Sequence, residues 1–156
     1  MRKFYMFSIQ KKYCGETLKD IKSLYSILEN LYYLNTNKFN YGISIYNQLC
    51  KKINSALIIK TIKEKCPNYK FRNNRVIIND LEKTILEINN CCLVLYTNAN
   101  ISALLKYINT VDNNIFVCDF ENNDFFWLKK IIRTTLKINV WNIIDKLLNY
   151  AIIKLY

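Results

Sequence analysis

The stretch that decides the fold is residues 114–128, NIFVCDFENNDFFWL. A short apolar run enters an acidic, asparagine-rich turn at residues 119–124, and the chain leaves that turn through three consecutive aromatic residues. Two apolar runs joined by a short polar turn predict a β-hairpin. Large apolar side chains are usually buried, so Phe116, Phe125 and Trp127 are predicted to lie in the core. The acidic turn itself is predicted to be solvated.

Around this hairpin, the length and composition of the chain indicate a single domain. The chain has 156 residues, of which 51% are hydrophobic, and it contains only two glycines and one proline. Such a composition supports a real core and argues against a disordered chain. We divide the sequence into a predicted domain at residues 1–128 and an amphipathic helical extension at residues 129–156, which packs on that domain or projects from it.

The first half of the chain is predicted to begin with a strand and to continue with helices. Alternating aromatic and polar residues predict the strand at residues 3–9. Apolar residues that repeat at intervals of three and four predict one helix at residues 16–34 and a second at residues 43–53. Residues 56–66 fit a helix that stops before the only proline, although residues 57–61 taken alone also fit a strand.

The second half is predicted to be richer in strands. Asn73 and Asn74 predict a hairpin turn, because asparagine tolerates the positive φ that such turns need. A short helix is predicted at residues 79–88, followed by a buried strand at residues 91–97 and a helix that reaches Ile108. This order predicts an α+β fold with a mixed or antiparallel sheet of about five strands, flanked by helices and followed by a C-terminal amphipathic helix.

The positive charge of the chain points to a different class of partner. The formal net charge is +11, mostly from lysine. A basic balance of this size indicates nucleic acid or another anionic surface as a partner. The abundance of Ile, Asn, Lys and Tyr is also typical of a very AT-rich genome, so codon bias explains part of the charge. The alternative function is therefore a small basic nucleic-acid-binding protein of an AT-rich virus, plasmid or bacterium, which uses lysine-rich helix faces at residues 129–146.

The cysteines indicate a reducing, cytoplasmic interior. Six cysteines occur without a C-x-x-C pair, and the chain has no histidine, so no zinc-ligand set is visible. The adjacent Cys91 and Cys92 have no neighbour in the sequence that would lower the pKa of a thiol. The sequence also shows no signal-peptide core and no apolar run of about 18 residues that would span a membrane.

The sequence offers little that an enzyme would need. The commonest general base is missing because there is no histidine, and two glycines cannot form a glycine-rich phosphate loop. Asp119, Glu121 and Asp124 come closest to a carboxylate cluster, and they are predicted to form a solvated turn. The chain is therefore predicted not to be an enzyme, with no catalytic residue, no cofactor and no metal ligand.

Aromatic side chains supply the remaining candidates for a binding surface. Several of them lie at the ends of predicted elements or in polar segments, where some must be exposed: Tyr13, Tyr33, Phe39, Tyr41, Tyr46 and Tyr69. Tyrosine is enriched at the energetic centres of protein interfaces. Lysines near the first strand-to-helix corner would surround such a patch with positive charge and would suit an acidic protein surface. A core or incidental role is the alternative for each single tyrosine.

Three segments of the chain together resemble a known family. They are a strand with a K-K-Y-x-G corner, a long amphipathic helix, and a late D-F-x-x-x-x-F-x-W-L hairpin. Their order is similar to that of the sporulation inhibitor of replication (SirA) family of low-GC Gram-positive bacteria, over residues 3–128. The residues that carry the resemblance are residues 4–9 with Tyr13, then Leu24, Tyr25 and Leu28, and residues 116–120 with Phe126, Trp127 and Leu128.

The resemblance implies a non-enzymatic regulator of replication. Members of that family bind the N-terminal domain of the replication initiator DnaA and restrain new rounds of chromosome replication. They use aromatic and polar residues at the corner after the first strand and on the second helix. The partner-binding residues that the resemblance implies here are Tyr13, Thr17, Ile45, Tyr46 and Gln48. Thr17 departs from the family, which has an aromatic residue there, and residues 129–156 receive no role from the resemblance.

Overall fold

A seven-stranded antiparallel sheet organises the residues that the structure describes. These are residues 1–66, 68–79, 83–89, 91–98 and 103–130 of a computed structural model. The strands are β1 Arg2–Ser8, β2 Tyr69–Arg72, β3 Arg75–Asn79, β4 Lys83–Ile88, β5 Leu93–Thr97, β6 Ile115–Asp119 and β7 Asp124–Trp127. They lie in the order β2-β3-β4-β5-β1-β6-β7, and each neighbouring pair is antiparallel. The predicted α+β class is confirmed. The sheet has seven strands, whereas about five were expected.

Within the described ranges, four α-helices pack on the sheet, two on each face, and one of the two pairs covers only part of its face. They are α1 Leu18–Tyr32, α2 Phe39–Leu49, α3 Ser55–Lys65 and α4 Ala103–Val111. The side chain of Thr17 accepts a hydrogen bond from the Asp20 N–H and begins α1, and Asn54 caps α3 in the same way. None of the helices in this part of the chain is both long and apolar enough to cross a membrane.

The sheet separates two hydrophobic cores. β1 lies inside the sheet and is buried on both sides from Phe4 to Ser8, so its pattern is a continuous apolar run and not the alternation of aromatic and polar residues expected from the sequence. Phe4 and Met6 point into the core under α3 and α4, whereas Tyr5 and Phe7 point into the core under α1 and α2. Because side chains alternate along a strand, a single strand in the middle of the sheet supplies both cores.

The hairpin of residues 114–128 forms as predicted from β6 and β7. Phe116 lies directly across from Trp127, and both are fully buried. Their rings meet edge to face, with centroids 5.0 Å apart. Phe125 is half-buried and packs against the same core. Asn123 takes a positive φ of 53° in the turn, a conformation that asparagine tolerates.

The prediction that the acidic turn is solvated is wrong for Asp119. This carboxylate is 1% exposed. The guanidinium of Arg2 donates from Nε to Asp119 Oδ2 at 2.9 Å and from Nη2 to Asp124 Oδ2 at 2.8 Å. The backbone and side-chain amides of Asn122 also donate to Asp119. The other two carboxylates of the turn, Glu121 and the partly exposed Asp124, meet water as expected. Burial of Asp119 is possible because a cation from the other end of the chain compensates its charge.

Two secondary-structure predictions also need correction. The short helix predicted at residues 79–88 is wrong, because Lys83–Ile88 forms β4 between β3 and β5. The second helix begins at Phe39 and ends at Leu49, earlier than expected, because Cys50 is extended and bridges to Ile9. The predicted C-terminal helix lies outside the described residues from position 131 onward.

Candidate functional site

The corner after β1 is fixed to the sheet by a buried tryptophan. A short 3-10 turn at Lys11–Tyr13 follows the strand. The indole N–H of Trp127 donates to the carbonyl of Gly15 at 3.1 Å. A Cβ at Gly15 would lie only 2.6 Å from the side chain of Asp20, so the chain can pass close to the start of α1 only with glycine here. Tyr13 therefore stands on a corner that the hairpin holds in place.

A groove lies between α1 and α2, beside this corner. It consists of two adjacent depressions that share Ile27, of about 400 Å³ and about 310 Å³. Tyr13 lines the first depression, and Tyr41 and Ile45 line the second. We call this feature the α1–α2 groove. Its lining residues are Lys12, Tyr13, Gly15, Asp20, Ser23, Leu24, Ile27, Asn30, Leu31, Leu34, Tyr41, Ile45 and Leu49.

Three large exposed hydrophobic side chains line this groove, namely Tyr13, Ile27 and Tyr41. Within the described ranges, eight of the eleven large exposed hydrophobic residues lie between positions 13 and 43. These eight are Tyr13, Leu18, Ile27, Tyr32, Tyr33, Phe39, Tyr41 and Ile43. Tyr33, Phe39 and Tyr41 are each more than 60% exposed. Clustered apolar exposure of this kind marks interaction sites, whereas singly scattered apolar residues need no explanation.

The structure brings together some of the residues implied by the resemblance. Tyr13, 41% exposed, and Ile45, half-buried, line the two depressions of the α1–α2 groove. Gln48 is exposed on α2, one turn after Ile45, and its amide lies 3.5 Å from the hydroxyl of Ser44. Thr17 is exposed, but its hydroxyl is engaged with Asp20 at the start of α1. Three of the five positions therefore lie on or next to the groove with side chains available for contact.

Tyr46 does not belong to this surface. It is half-buried, and its hydroxyl donates to the carbonyl of Cys91. It lines a separate depression of about 200 Å³ whose walls include Tyr5, Tyr32 and Cys92. Burial raises the pKa of the Tyr46 hydroxyl above its ordinary value. Tyr46 thus anchors α2 to the segment before β5 and does not share a surface with Tyr13.

Sequence reasoning missed Ile27, which joins the two depressions. The apolar stripe of α1 runs through Leu24 and Leu28, which are buried against the sheet. Ile27 lies on the flank of that stripe and is 40% exposed. The sequence did contain a signal for the exposure of Ile27. The apolar stripe of α1 already fills the core, so an isoleucine beside that stripe is expected to be exposed.

The described residues show no arrangement for metal chemistry, but they do distinguish one thiol. No group of three or more His, Cys, Asp or Glu side chains in this part of the chain is placed to hold a metal ion. Cys91 is exposed, and its sulfur lies 3.9 Å from that of Cys92. The hydrogen bond between the two thiols lowers the pKa of Cys91, whereas burial raises the pKa of Cys50 to about 12. The sequence showed no neighbour that would lower the pKa of a thiol in this pair. In the structure, Cys92 is the neighbour that lowers the pKa of Cys91.

Cys91 is expected to be the first cysteine to react with an alkylating agent, because the thiolate is the nucleophile and Cys91 is the exposed thiol with the lowered pKa. Brief exposure to iodoacetamide near neutral pH, followed by peptide mass spectrometry, should find the label at Cys91. Cys91→Ser should remove the fast phase, and Cys66→Ser should leave it. Equally fast labelling of Cys14, whose pKa is raised by burial, would contradict this explanation.

Comparison with known proteins adds no relative to this description. No model of a protein family matches the chain, and no curated protein matches it either.

Proposed function

We propose that the protein is a non-enzymatic regulator that binds the N-terminal domain of the replication initiator DnaA in the cytoplasm and inhibits new rounds of replication. The observation that carries this proposal is that the exposed side chains of Tyr13, Ile27 and Tyr41 line the α1–α2 groove. The groove includes the corner after β1 and the second helix, where the SirA family makes its contacts. The resemblance and the exposed surface, two independent considerations, therefore point to the same part of the molecule.

The groove has the properties of a protein-binding surface. Tyrosine side chains bury much area at a low entropic cost, and they are frequent among residues that dominate interface energy. Tyr13 and Tyr41 stand at the two depressions, with the apolar Ile27 between them. An aliphatic or aromatic side chain of a partner would fill each depression and exclude water from it.

The rim of the groove favours an acidic partner. Lys11, Lys12, Lys19 and Lys22 are all exposed around the corner and the first turns of α1. Charges at an interface rim accelerate encounter with an oppositely charged surface more than they add to final affinity. Association with DnaA should therefore slow as salt increases, whereas dissociation should change little.

At Thr17, where the chain departs from the family, the side chain stabilises a helix. The hydroxyl of Thr17 caps α1, so this position supplies helix stability where the family has an aromatic contact. The next residue, Leu18, is 66% exposed. It offers an apolar contact beside the position of the missing aromatic ring. We infer that Leu18 takes part in the contact surface together with Tyr13.

Tyr13→Ala is expected to weaken binding to the purified N-terminal domain of DnaA by about tenfold or more, because a central aromatic contact is typically worth about 2 kcal/mol or more and tenfold corresponds to about 1.4 kcal/mol. Gln48→Ala should weaken binding less, since it removes one polar contact. Isothermal titration calorimetry measures both affinities. Neither substitution should lower the melting temperature, because both side chains are exposed.

Phe71→Ala is the matched control for this experiment. Phe71 is 45% exposed, close to the 41% of Tyr13, but it lies on β2, away from the groove. Its removal should leave the affinity unchanged. Normal binding by both Tyr13→Ala and Gln48→Ala would show that the surface is wrong, and absence of binding by the unaltered protein would show that the partner is wrong.

A further inference from the structure

One half of the sheet has a face that no described helix covers. The core under α1 and α2 contains no residue of β2, β3 or β4. On β3 and β4, the side chains that face α3 and α4 are buried, as Val76 and Leu86 show. The side chains on the opposite face, such as Ile77 and Ile85, are only half-buried. Within the described ranges, this face is therefore open to a partner.

The open face is strongly basic. The strand register places five cationic side chains on it, and Glu87 is the only carboxylate among the described residues there. We call it the basic sheet face. Its cations are Lys3, Lys70, Arg72, Arg75 and Lys83. Neighbouring strands lie about 4.8 Å apart, so the charge extends over about 20 Å from β2 to β1.

Most of these cations have no ion pair among the residues that the structure describes. Arg75 forms an ion pair with Glu87, with Nη2 and Oε1 2.6 Å apart. Among the described residues, no carboxylate lies within ion-pair distance of Lys70, Arg72 or Lys83. Arg72 stands directly across from Arg75 in the ladder, and like charges in that position are destabilising. A bound anion would relieve this repulsion.

A depression at the end of this face is suited to a phosphate group. It has a volume of about 710 Å³, and its lining includes Arg72, Arg75 and the Glu87 carboxylate that pairs with Arg75. Asn73, Asn74 and Asn89 line it with amide groups that can donate hydrogen bonds. Asn73 has a positive φ of 54°, which makes the tight turn that brings the two arginines together. Guanidinium groups bind phosphate through paired hydrogen bonds.

Apolar side chains lie among the cations. Ile77, Ile85 and Tyr96 follow one another across β3, β4 and β5, because each pairs with the next in the register. All three are half-buried, so part of each remains accessible. The ammonium group of Lys3 lies 5.7 Å from the Tyr96 ring. Positive charge combined with an apolar, partly aromatic platform is the arrangement by which sheet surfaces bind single-stranded nucleic acid.

We propose that the basic sheet face binds the phosphate backbone of a single-stranded nucleic acid. Five cations from four strands, spread from β2 to β1, fit a polyanion better than a small phosphate compound, which would need one enclosed pocket. The alternative function considered for the sequence placed such contacts on residues 129–146, nearly all of which lie outside the described residues. The basic sheet face uses different residues, and it is separate from the α1–α2 groove.

Fluorescence anisotropy of the full-length protein with a labelled oligothymidylate tests this proposal. With about four phosphate contacts, the logarithm of the affinity should fall against the logarithm of salt concentration with a slope of about −3. The double variant Lys70→Gln/Arg72→Gln should reduce the slope by about 1.4. At about 50 mM salt, the affinity of this double variant for the oligothymidylate should fall by about tenfold or more.

The double variant Lys63→Gln/Lys106→Gln is the matched control. It removes the same charge from exposed positions on α3 and α4, across the sheet from the basic face. Its binding should remain close to that of the unaltered protein. An equal loss in both double variants would overturn the proposal, because the attraction would then come from overall charge.

Two further outcomes would also overturn the proposal. One is absence of oligothymidylate binding at low salt. The other is equally tight binding of poly-glutamate, which would identify the face as a site for an acidic protein. Duplex DNA should bind more weakly than the single strand, because its bases cannot reach the apolar platform. The Tyr13→Ala variant should bind oligothymidylate normally, so this test and the DnaA test are independent.

Discussion

Trp127→Ala is expected to lower the free energy of unfolding by about 3–5 kcal/mol, the largest effect of any single substitution proposed for this protein. Trp127 is 1% exposed and packs edge to face against Phe116. Alanine would leave a cavity in the core under α1 and α2. It would also remove the hydrogen bond from the indole N–H to the carbonyl of Gly15. Urea unfolding followed by circular dichroism measures the change.

A milder substitution at Trp127 separates the effect on the binding surface from the effect on stability. Trp127→Phe keeps most of the buried area but loses the bond to Gly15, so it should cost about 1–2 kcal/mol. Because that bond holds the corner after β1, this milder variant should still weaken partner binding through Tyr13. A cost below about 1 kcal/mol for Trp127→Ala would contradict the role given to this residue.

The hairpin around Trp127 was predictable because its signals are local. The turn, the apolar run and the aromatic run all lie within residues 114–128. Burial of Asp119 was not predictable in the same way. Its partner Arg2 is 117 positions away in sequence, and only the neighbouring positions of β1 and β6 in the sheet bring the two together. A local pattern therefore predicted the element but not the environment of its charged residue.

The sequence of the strand Lys83–Ile88 fits either a helix or a strand when its neighbours in the sheet are not known. Thr84, Leu86 and Ile88 are buried, and Ile85 and Glu87 between them are half-buried. This period of two is a strand signal, but an apolar residue on the second face hides it in the sequence. Pairing with β3 and β5 on both sides decided the outcome. Tertiary context outweighed local preference here.

The candidate surface was predictable at the level of elements but not of every residue. Of the positions that the resemblance implied, Tyr13 and Ile45 lie on the groove, whereas Tyr46 points toward Cys91. Successive residues of a helix are rotated by about 100°, so Ile45 and Tyr46 face different surroundings. A shift of one residue in an alignment is therefore enough to exchange a contact residue for a core residue. The structure identifies Tyr41 as the tyrosine of α2 that faces the groove.

Arg2→Met is expected to lower the free energy of unfolding by about 2–3 kcal/mol. Methionine removes the charge that compensates the buried Asp119, together with the guanidinium that lies over the Phe4 ring, 4.7 Å from its centroid. The carboxylate would keep its two hydrogen bonds from Asn122, which limits the loss. Urea unfolding of the single variant measures the cost.

Asp124 provides a control for Arg2→Met, because Arg2 contacts two carboxylates at the same distance of 2.8 Å. The Asp119 side chain is fully buried, whereas that of Asp124 is 48% exposed. Exposed ion pairs contribute little, so Asp124→Asn should cost less than about 1 kcal/mol. A double-mutant cycle of Arg2→Met with Asp119→Asn should then give a larger coupling energy than the cycle with Asp124→Asn. Equal coupling energies would mean that burial of Asp119 does not determine how strongly Arg2 holds the hairpin to β1.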